Sequence, residues 1–271
     1  MIGAFAPVVI GAFAPVVIGA FAQRALSPCR RVTRTLYDAL MQTPRLNRML
    51  AALGAAAVLV AGCSSSETST ENLPDAAELL QQSSQTTKGL QSAHLDITVN
   101  GTIEGLPLKT LTGDLTNVPA TAVQGNATIS MAGSDVDAGL IVIDNTLYAS
   151  LTPDSWLDLG PAADIYDPST ILNPNSGLAA MLDSFTDPKS EAEENIDGVD
   201  TVKVSGNVSA DSVNSLIPQL KATDAVPASA WIEKDGDHNL VQAEINPSEG
   251  NSIQVKLSEW NKPVTVTKPQ I

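Results

Sequence analysis

The sequence predicts an antiparallel α+β domain. Two observations carry the class. From residue 93 onward most of the chain reads as short segments in which apolar and polar residues alternate with period two, separated by tight turns. Helical patterns interrupt this run in only a few places, so no regular parallel βαβ order can be built.

The chain opens outside that domain. "IGAFAPVV" at residues 2–9 recurs unchanged at 10–17, with "IGAFA" again from Ile18. A perfect repeat with Pro in each copy is poor helix material. "RALSPCRRVTRTLYDALM" follows, holding four of the six Arg. Residues 1–40 are read as an N-terminal extension that is not translated or not retained, because "MQTPRLNRMLAALG" from Met41 already starts a complete signal peptide. A targeting or membrane-inserting arm is the alternative reading of that stretch.

Arg45 and Arg48 form the charged start of this signal, and "MLAALGAAAVLVAG" from Met49 to Gly62 is its apolar stretch. The stretch is too short to span a bilayer. It ends in Val60-Ala61-Gly62-Cys63, which has the form of a bacterial lipobox. Residues 41–62 are therefore read as a lipoprotein signal peptide. Cys63 is read as the N-palmitoyl, S-diacylglycerol cysteine of the mature chain. Two or more acyl chains hold a protein on a membrane stably, whereas one does so only marginally.

From Cys63 to Ile271 there are 209 residues, enough for one domain with a sizeable core. This part has nine Lys, no Arg and 29 acidic residues, so its formal charge is 9 − 29 = −20. There is no basic patch for nucleic acid or for anionic lipid, and no guanidinium to clamp a phosphate. With no Cys after Cys63, neither a disulfide nor a thiolate metal site can form.

Residues 63–73 read as the acylated Cys and a flexible polar tether, and 74–271 as the folded domain. Pro74 suits the first position of a helix over "DAAELLQQSSQTTKGLQ", which Gly89 ends. "AHLDITVNGTI" places Leu95, Ile97 and Val99 on one strand face. "LKTLTGDLTN" follows, and "GNATISMAG" places Ala127, Ile129 and Met131 together. "VDAGLIVIDNTLYASL" reads as a hairpin around Asp144-Asn145, with Leu140 and Val142 in its first arm. The segment from Trp156 to Asn195 breaks the strand pattern and reads as short helical pieces, including Met181, Leu182 and Phe185. "DGVDTVKVSG" returns to strand. "SADSVNSLIPQL" is a helix capped by Ser209 or Asp211. "ASAWIEKDGDHNLVQAEIN", "NSIQVKLSEW" and "VTVTK" complete the antiparallel run.

Residues for catalysis are scarce. The two histidines, His94 and His238, lie near no other His or Cys in sequence, and no nucleophile elbow, zinc-helix motif or phosphate loop is present. Asp235-Gly236-Asp237 and Glu191 to Glu194 do not have EF-hand spacing. The reading is no enzyme, no cofactor and no metal. The strands are rich in small and aliphatic residues. Such a sheet either packs tightly on its helices or leaves an apolar cavity with adaptable walls.

The blocks "SAHLDITVNG", "LKTLTGDL", "LYASLTPDSWLDLGPAADIYDPSTILNPNSGLA", "VSADSVN", "VPASAWIEKDGDHNLVQAEI" and "GNSIQVKLSEW…VTVTKP" resemble the mycobacterial lipoprotein family that includes LppX, LprA, LprF and LprG. The LprG branch is the closest in likeness, over roughly residues 50–271. The resemblance implies a half-barrel similar to carriers of the Lol type, with a large apolar cavity between sheet and helices. It implies a cargo of triacylated glycolipid (phosphatidylinositol mannosides, lipomannan, lipoarabinomannan) or triacylglycerol. It also implies a major-facilitator-type exporter as partner, and a place on the outer face of the plasma membrane, in the cell wall or secreted. The cavity candidates are Ile97, Val99, Ala127, Ile129, Met131, Leu140 and Val142 on the sheet, with Met181, Leu182 and Phe185 from the helical segment. The rival reading is an adaptor lipoprotein that supports the exporter or envelope without carrying lipid.

Overall fold

Helix α1 (Ala76–Lys88) starts one residue later than the sequence suggests. Asp75, not Pro74, sets the boundary: it is extended, and its Oδ1 accepts from the Glu78 N–H at 2.9 Å. Gly89 ends the helix, its N–H donating to the Thr86 carbonyl. The face with Ala76, Leu79, Leu80, Ser83, Ser84 and Thr87 is buried. The computed structural model describes residues 73–152 and 155–271, so the repeat, the signal and Cys63 lie outside the described residues.

Six strands follow: β1 (Ser92–Asn100), β2 (Leu108–Thr116), β3 (Ala122–Met131), β4 (Ser134–Ile143), β5 (Thr146–Thr152) and β6 (Ser155–Pro161). Asp144 and Asn145 turn the β4–β5 hairpin with φ of 52° and 60°, the left-handed conformation that a two-residue hairpin turn requires. The chain then leaves the sheet through short 3₁₀ turns and helix α2 (Leu178–Asp183). It returns as β7 (Thr186–Ile196) and β8 (Val199–Val208), helix α3 (Ala210–Leu216), then β9 (Val226–Glu233), β10 (Leu240–Ser248) and β11 (Asn251–Ser258). Ser209 caps α3, accepting from the Ser212 N–H.

All eleven strands form one antiparallel sheet in the order β6-β5-β4-β3-β2-β1-β11-β10-β9-β8-β7. The two ends of the domain meet in the middle of the sheet, where β1 pairs with β11. The mid-chain crossover joins its two edges, β6 and β7.

Three sequence expectations are corrected here. Ser155–Pro161 and Thr186–Ile196 are strands, although both fall in the segment that reads as helical pieces. Both are edge strands, where charge and Pro are tolerated because one side of the backbone needs no partner. "VTVTK" is not a strand; after β11 the chain runs as an irregular tail. That tail crosses the outer face. The Asn261 N–H donates to the Ser92 carbonyl, and Lys268 Nζ stands 5.5 Å from the Tyr148 ring centre.

The core lies between the helices and one half of the sheet. Helix α1 rests on β7 and β9 and against α2, which touches α3. Val202, Val204, Ala230, Ile232 and Leu240 beneath them are fully buried. Between this half and the rest, β2 and β3 place Gly113 opposite Gly125. A Cβ on Gly113 would lie 2.5 Å from the Gln124 carbonyl oxygen, and one on Gly125 2.3 Å from that of Thr112. Only glycine permits this approach, and glycine pairs of this kind let a sheet coil.

Candidate ligand groove

Strand register decides which side chains share a face, because directly paired residues point the same way. Leu95, Gly113, Gly125, Leu140, Ala149 and Leu157 form one row from β1 to β6. Ile97, Leu111, Ala127 and Ala138 form the next. Leu95 is part of the core beneath the helices, so both rows lie on the inner face. By the same alternation Val99, Ile129, Met131 and Val142 lie there too. The structure thus brings the seven sheet candidates onto one surface.

The middle of that surface is low. Gly113, Gly125, Ala127, Ala138 and Ala149 carry almost no side chain, and Leu111, Ile129, Val136 and Leu140 stand around them. Ala127 and Ala138 are only 3% and 4% exposed, yet neither they nor Ala149 join the contiguous core that the helices close. The result is a narrow apolar furrow along the inner side of β2–β5. Val142, Leu147 and Val123 close one end, packing into the core with Ala162 and Leu172 of the crossover.

The β1–β2 loop, residues 101–107, stands at the other end. Beside it lies an open depression of about 390 Å³ lined by Val99, Leu108, Lys109, Ser130 and the loop itself. The loop is pinned on both sides: the Thr102 N–H donates to Asn251 Oδ1 at 2.8 Å, and Lys109 Nζ donates to the Gly101 carbonyl at 2.9 Å.

Met181 and Leu182, at 4% and 1% exposure, belong to the packed core, and Phe185 packs against it. Leu111, Val136, Ala138, Ala149 and Leu157 share the inner face but were not among the sequence candidates. Period-two parity carries their signal, and it becomes readable only once the register between strands is known. Nearby in the crossover, burial pushes the Tyr166 phenol up despite its 3.2 Å contact with the Thr170 hydroxyl.

Positive charge is sparse along the furrow, with Lys109 at its loop end. Between Lys109 and Lys189 the chain has neither Lys nor Arg, which leaves β3–β6 and the crossover without one cation. His94 lies on the opposite, outer face: its Nδ1 is 2.6 Å from Asp114 Oδ1 and its Nε2 is 3.3 Å from Thr112 Oγ1. A smaller polar cleft of about 190 Å³ separates this cluster from the tail. His238 is remote in sequence, in the β9–β10 turn, with Nδ1 3.0 Å from the Glu233 carbonyl oxygen. Among the described residues no group of three or more His, Cys, Asp or Glu is placed to hold a metal ion.

A family model described as LppX_LprAFG lipoprotein matches residues 75–266. The chain belongs to the LppX_LprAFG lipoprotein family. The lipoarabinomannan carrier protein LprG of Mycobacterium leprae is 51% identical over 237 residues, covering 85% of this chain and 100% of that protein. Its namesake in Mycobacterium tuberculosis strain H37Rv is 50% identical over 236 residues, with the same coverage. Among solved structures, LprF of Mycobacterium bovis superposes with a TM-score of 0.67 at 33% identity, covering 73% of this chain and 98% of that one. LppX of Mycobacterium tuberculosis gives 0.56 at 30%, covering 70% and 97%. The large curved antiparallel sheet is therefore the fold of LppX_LprAFG lipoproteins.

Proposed function

We propose that this lipoprotein carries a lipid with several acyl chains, its tails laid along the furrow and its polar head left in water. The observation that supports the reading best is the set of buried alanines, Ala127, Ala138 and Ala149, which stand outside the contiguous core. A surface that hides apolar atoms from water without packing them into the core suits a flexible apolar guest. Moving three tails through water bare would cost tens of kcal/mol at about 0.8 per methylene, so a carrier must shelter them. The lack of Lys and Arg along β3–β6 and the absence of Arg from the mature chain favour selection by the tails over a grip on phosphate. LprG relatives are named carriers of lipoarabinomannan, and we extend that cargo class here to triacylated glycolipid, with triacylglycerol as a second candidate.

Cys63 is the proposed anchor, holding the domain at the outer face of the plasma membrane. Nine residues separate it from Leu73, the first described one, and the chain from Cys63 to Leu73 spans at most about 33–36 Å even fully extended. The domain therefore works beside the membrane, receiving lipid from it or from an exporter of the major-facilitator type within it. The test is mass spectrometry of the intact protein purified from a mycobacterial host, followed by lipid extraction. Non-covalent lipid with three or more chains and an acylated Cys63 are expected. A lipid-free protein would overturn the carrier reading and leave an adaptor role.

A further inference from the structure

The two edges of the sheet are built differently. Edge strand β7 is charged and internally paired, with Lys203 Nζ 3.4 Å from Glu191 and Lys234 Nζ 2.7 Å from Glu193. This is how soluble proteins blunt a free edge. Edge strand β6 carries Leu157 and Leu159, 54% and 46% exposed. Leu151 beside them on β5 and Ile165 just after β6 are 52% and 56% exposed. The one charge within the strand, Asp158, pairs with Tyr148 of the outer row and so points away from Leu157.

We propose that the β6 edge docks on the membrane surface and that acyl tails pass across it into the furrow. This rests on the carrier reading above. Leu157 is the last member of the row that contains Gly125, Leu140 and Ala149, so the exposed edge and the furrow are one apolar surface. The family is one of lipoproteins, which makes its own bilayer the nearest large apolar phase. Fully extended, the chain from Cys63 to Leu73 spans at most about 33–36 Å, which keeps the domain beside that bilayer.

The chemistry also fixes how the edge docks. β6 itself has no Lys or Arg to attract headgroup phosphates, and Lys268 of the tail lies over Tyr148 on the outer face, where Asp144 and Asp158 offset its charge. Asp164 beside Ile165 is repelled by those phosphates. Docking is therefore by apolar contact. It is also shallow, because the unpaired N–H and C=O groups on the free side of β6 must stay in water or among headgroups.

The test uses the full-length acylated protein in phosphatidylcholine liposomes, with an environment-sensitive fluorophore on an Ile165→Cys variant. Lipids brominated in the upper acyl chain should quench this label, whereas the same label on Asn126→Cys of the outer face should stay unquenched. Leu157→Asp combined with Leu159→Asp should abolish the Ile165→Cys quenching and slow uptake of a fluorescent triacyl lipid from the liposomes about tenfold or more. Asn126→Asp should alter neither. Adding anionic lipid should leave the quenching unchanged or weaken it. Absent quenching in the parent label, or quenching that grows with anionic lipid, would overturn the proposal. Label contacts that depend on protein concentration would instead assign the edge to a second copy of the chain. Quenching without any lipid uptake would sink the carrier reading and leave the docking edge standing.

Discussion

Replacing Ala127 with Trp tests the furrow directly. Ala127 is 3% exposed, sits between Leu111 and Ala138, and stands outside the contiguous core. An indole there lies along the furrow and takes space meant for a tail. If it displaces roughly four methylenes, binding weakens by about 3 kcal/mol at ~0.8 each. That is on the order of a hundredfold in affinity at 1.4 kcal/mol per factor of ten. Folding should suffer less: overpacking costs about 1–3 kcal/mol, a fall in Tm of about 2–4 °C per kcal/mol for a domain of this size. Asn126→Trp is the control, because strand alternation puts the same ring on the outer face. The assay is displacement of a fluorescent fatty acyl ligand, with lipid extraction of the purified variants. An Ala127→Trp protein that melts cooperatively and carries as much lipid as Asn126→Trp would refute the assignment.

Other perturbations have expected outcomes of their own. Leu182→Ala, at a fully buried core position, should cost about 2–5 kcal/mol in urea unfolding, which separates α2's packing role from the furrow. Gly113→Val forces a side chain to within 2.5 Å of the Gln124 carbonyl oxygen, and should lower the urea midpoint by the equivalent of about 1–3 kcal/mol. Lys88 Nζ meets Asp183 Oδ2 at 2.7 Å across α1 and α2. Burial acts to raise the Asp183 carboxyl, but hydrogen bonds from Lys88 and Ser84 and the Lys88 charge outweigh it and hold the group below its ordinary 3.8. A depressed carboxyl stabilises the fold above its unfolded value and ceases to do so as pH falls through the folded one. Lys88→Ala should therefore cost about 0.2–1 kcal/mol at pH 7 and nothing near pH 2, measured by paired urea titrations.

The first five strands, the three helices and the C-terminal hairpins are legible in the sequence because local patterns dictate them. Leu95, Ile97 and Val99 alternate cleanly, and Asp144-Asn145 supplies its own turn chemistry. The edge strands are not legible. "TDPKSEAEENI" opposes strand propensity at nearly every position and is a strand because β8 offers it a partner. The tail misleads in the other direction, since "VTVTK" alternates like a strand but lies across a face instead of along an edge. The face shared by Ala127, Ile129, Leu140 and Val142 follows from alternation. Which alanines remain uncovered depends on where the helices come to rest, and no local pattern contains that. Met181 and Leu182 show the same limit: an apolar helical pair reads alike whether it packs a core or lines a groove.

The meeting of β1 with β11 gives the molecule a timetable. Every other pairing along the two meanders joins neighbours in sequence and can form as the chain emerges. The seam that pairs His94 with Ser258 waits for almost the whole domain. Until then β1 presents Leu95, Ile97 and Val99 on an unpaired edge, and the β8–β10 half that the helices close over is absent or incomplete. The stretch of synthesis between the sixth strand and the eleventh is thus the interval in which the chain is most exposed to aggregation. Any lipid met in that interval would find the floor of the furrow already built and its surroundings unfinished. Loading that is both selective and retained belongs to the time after the last strand is in place.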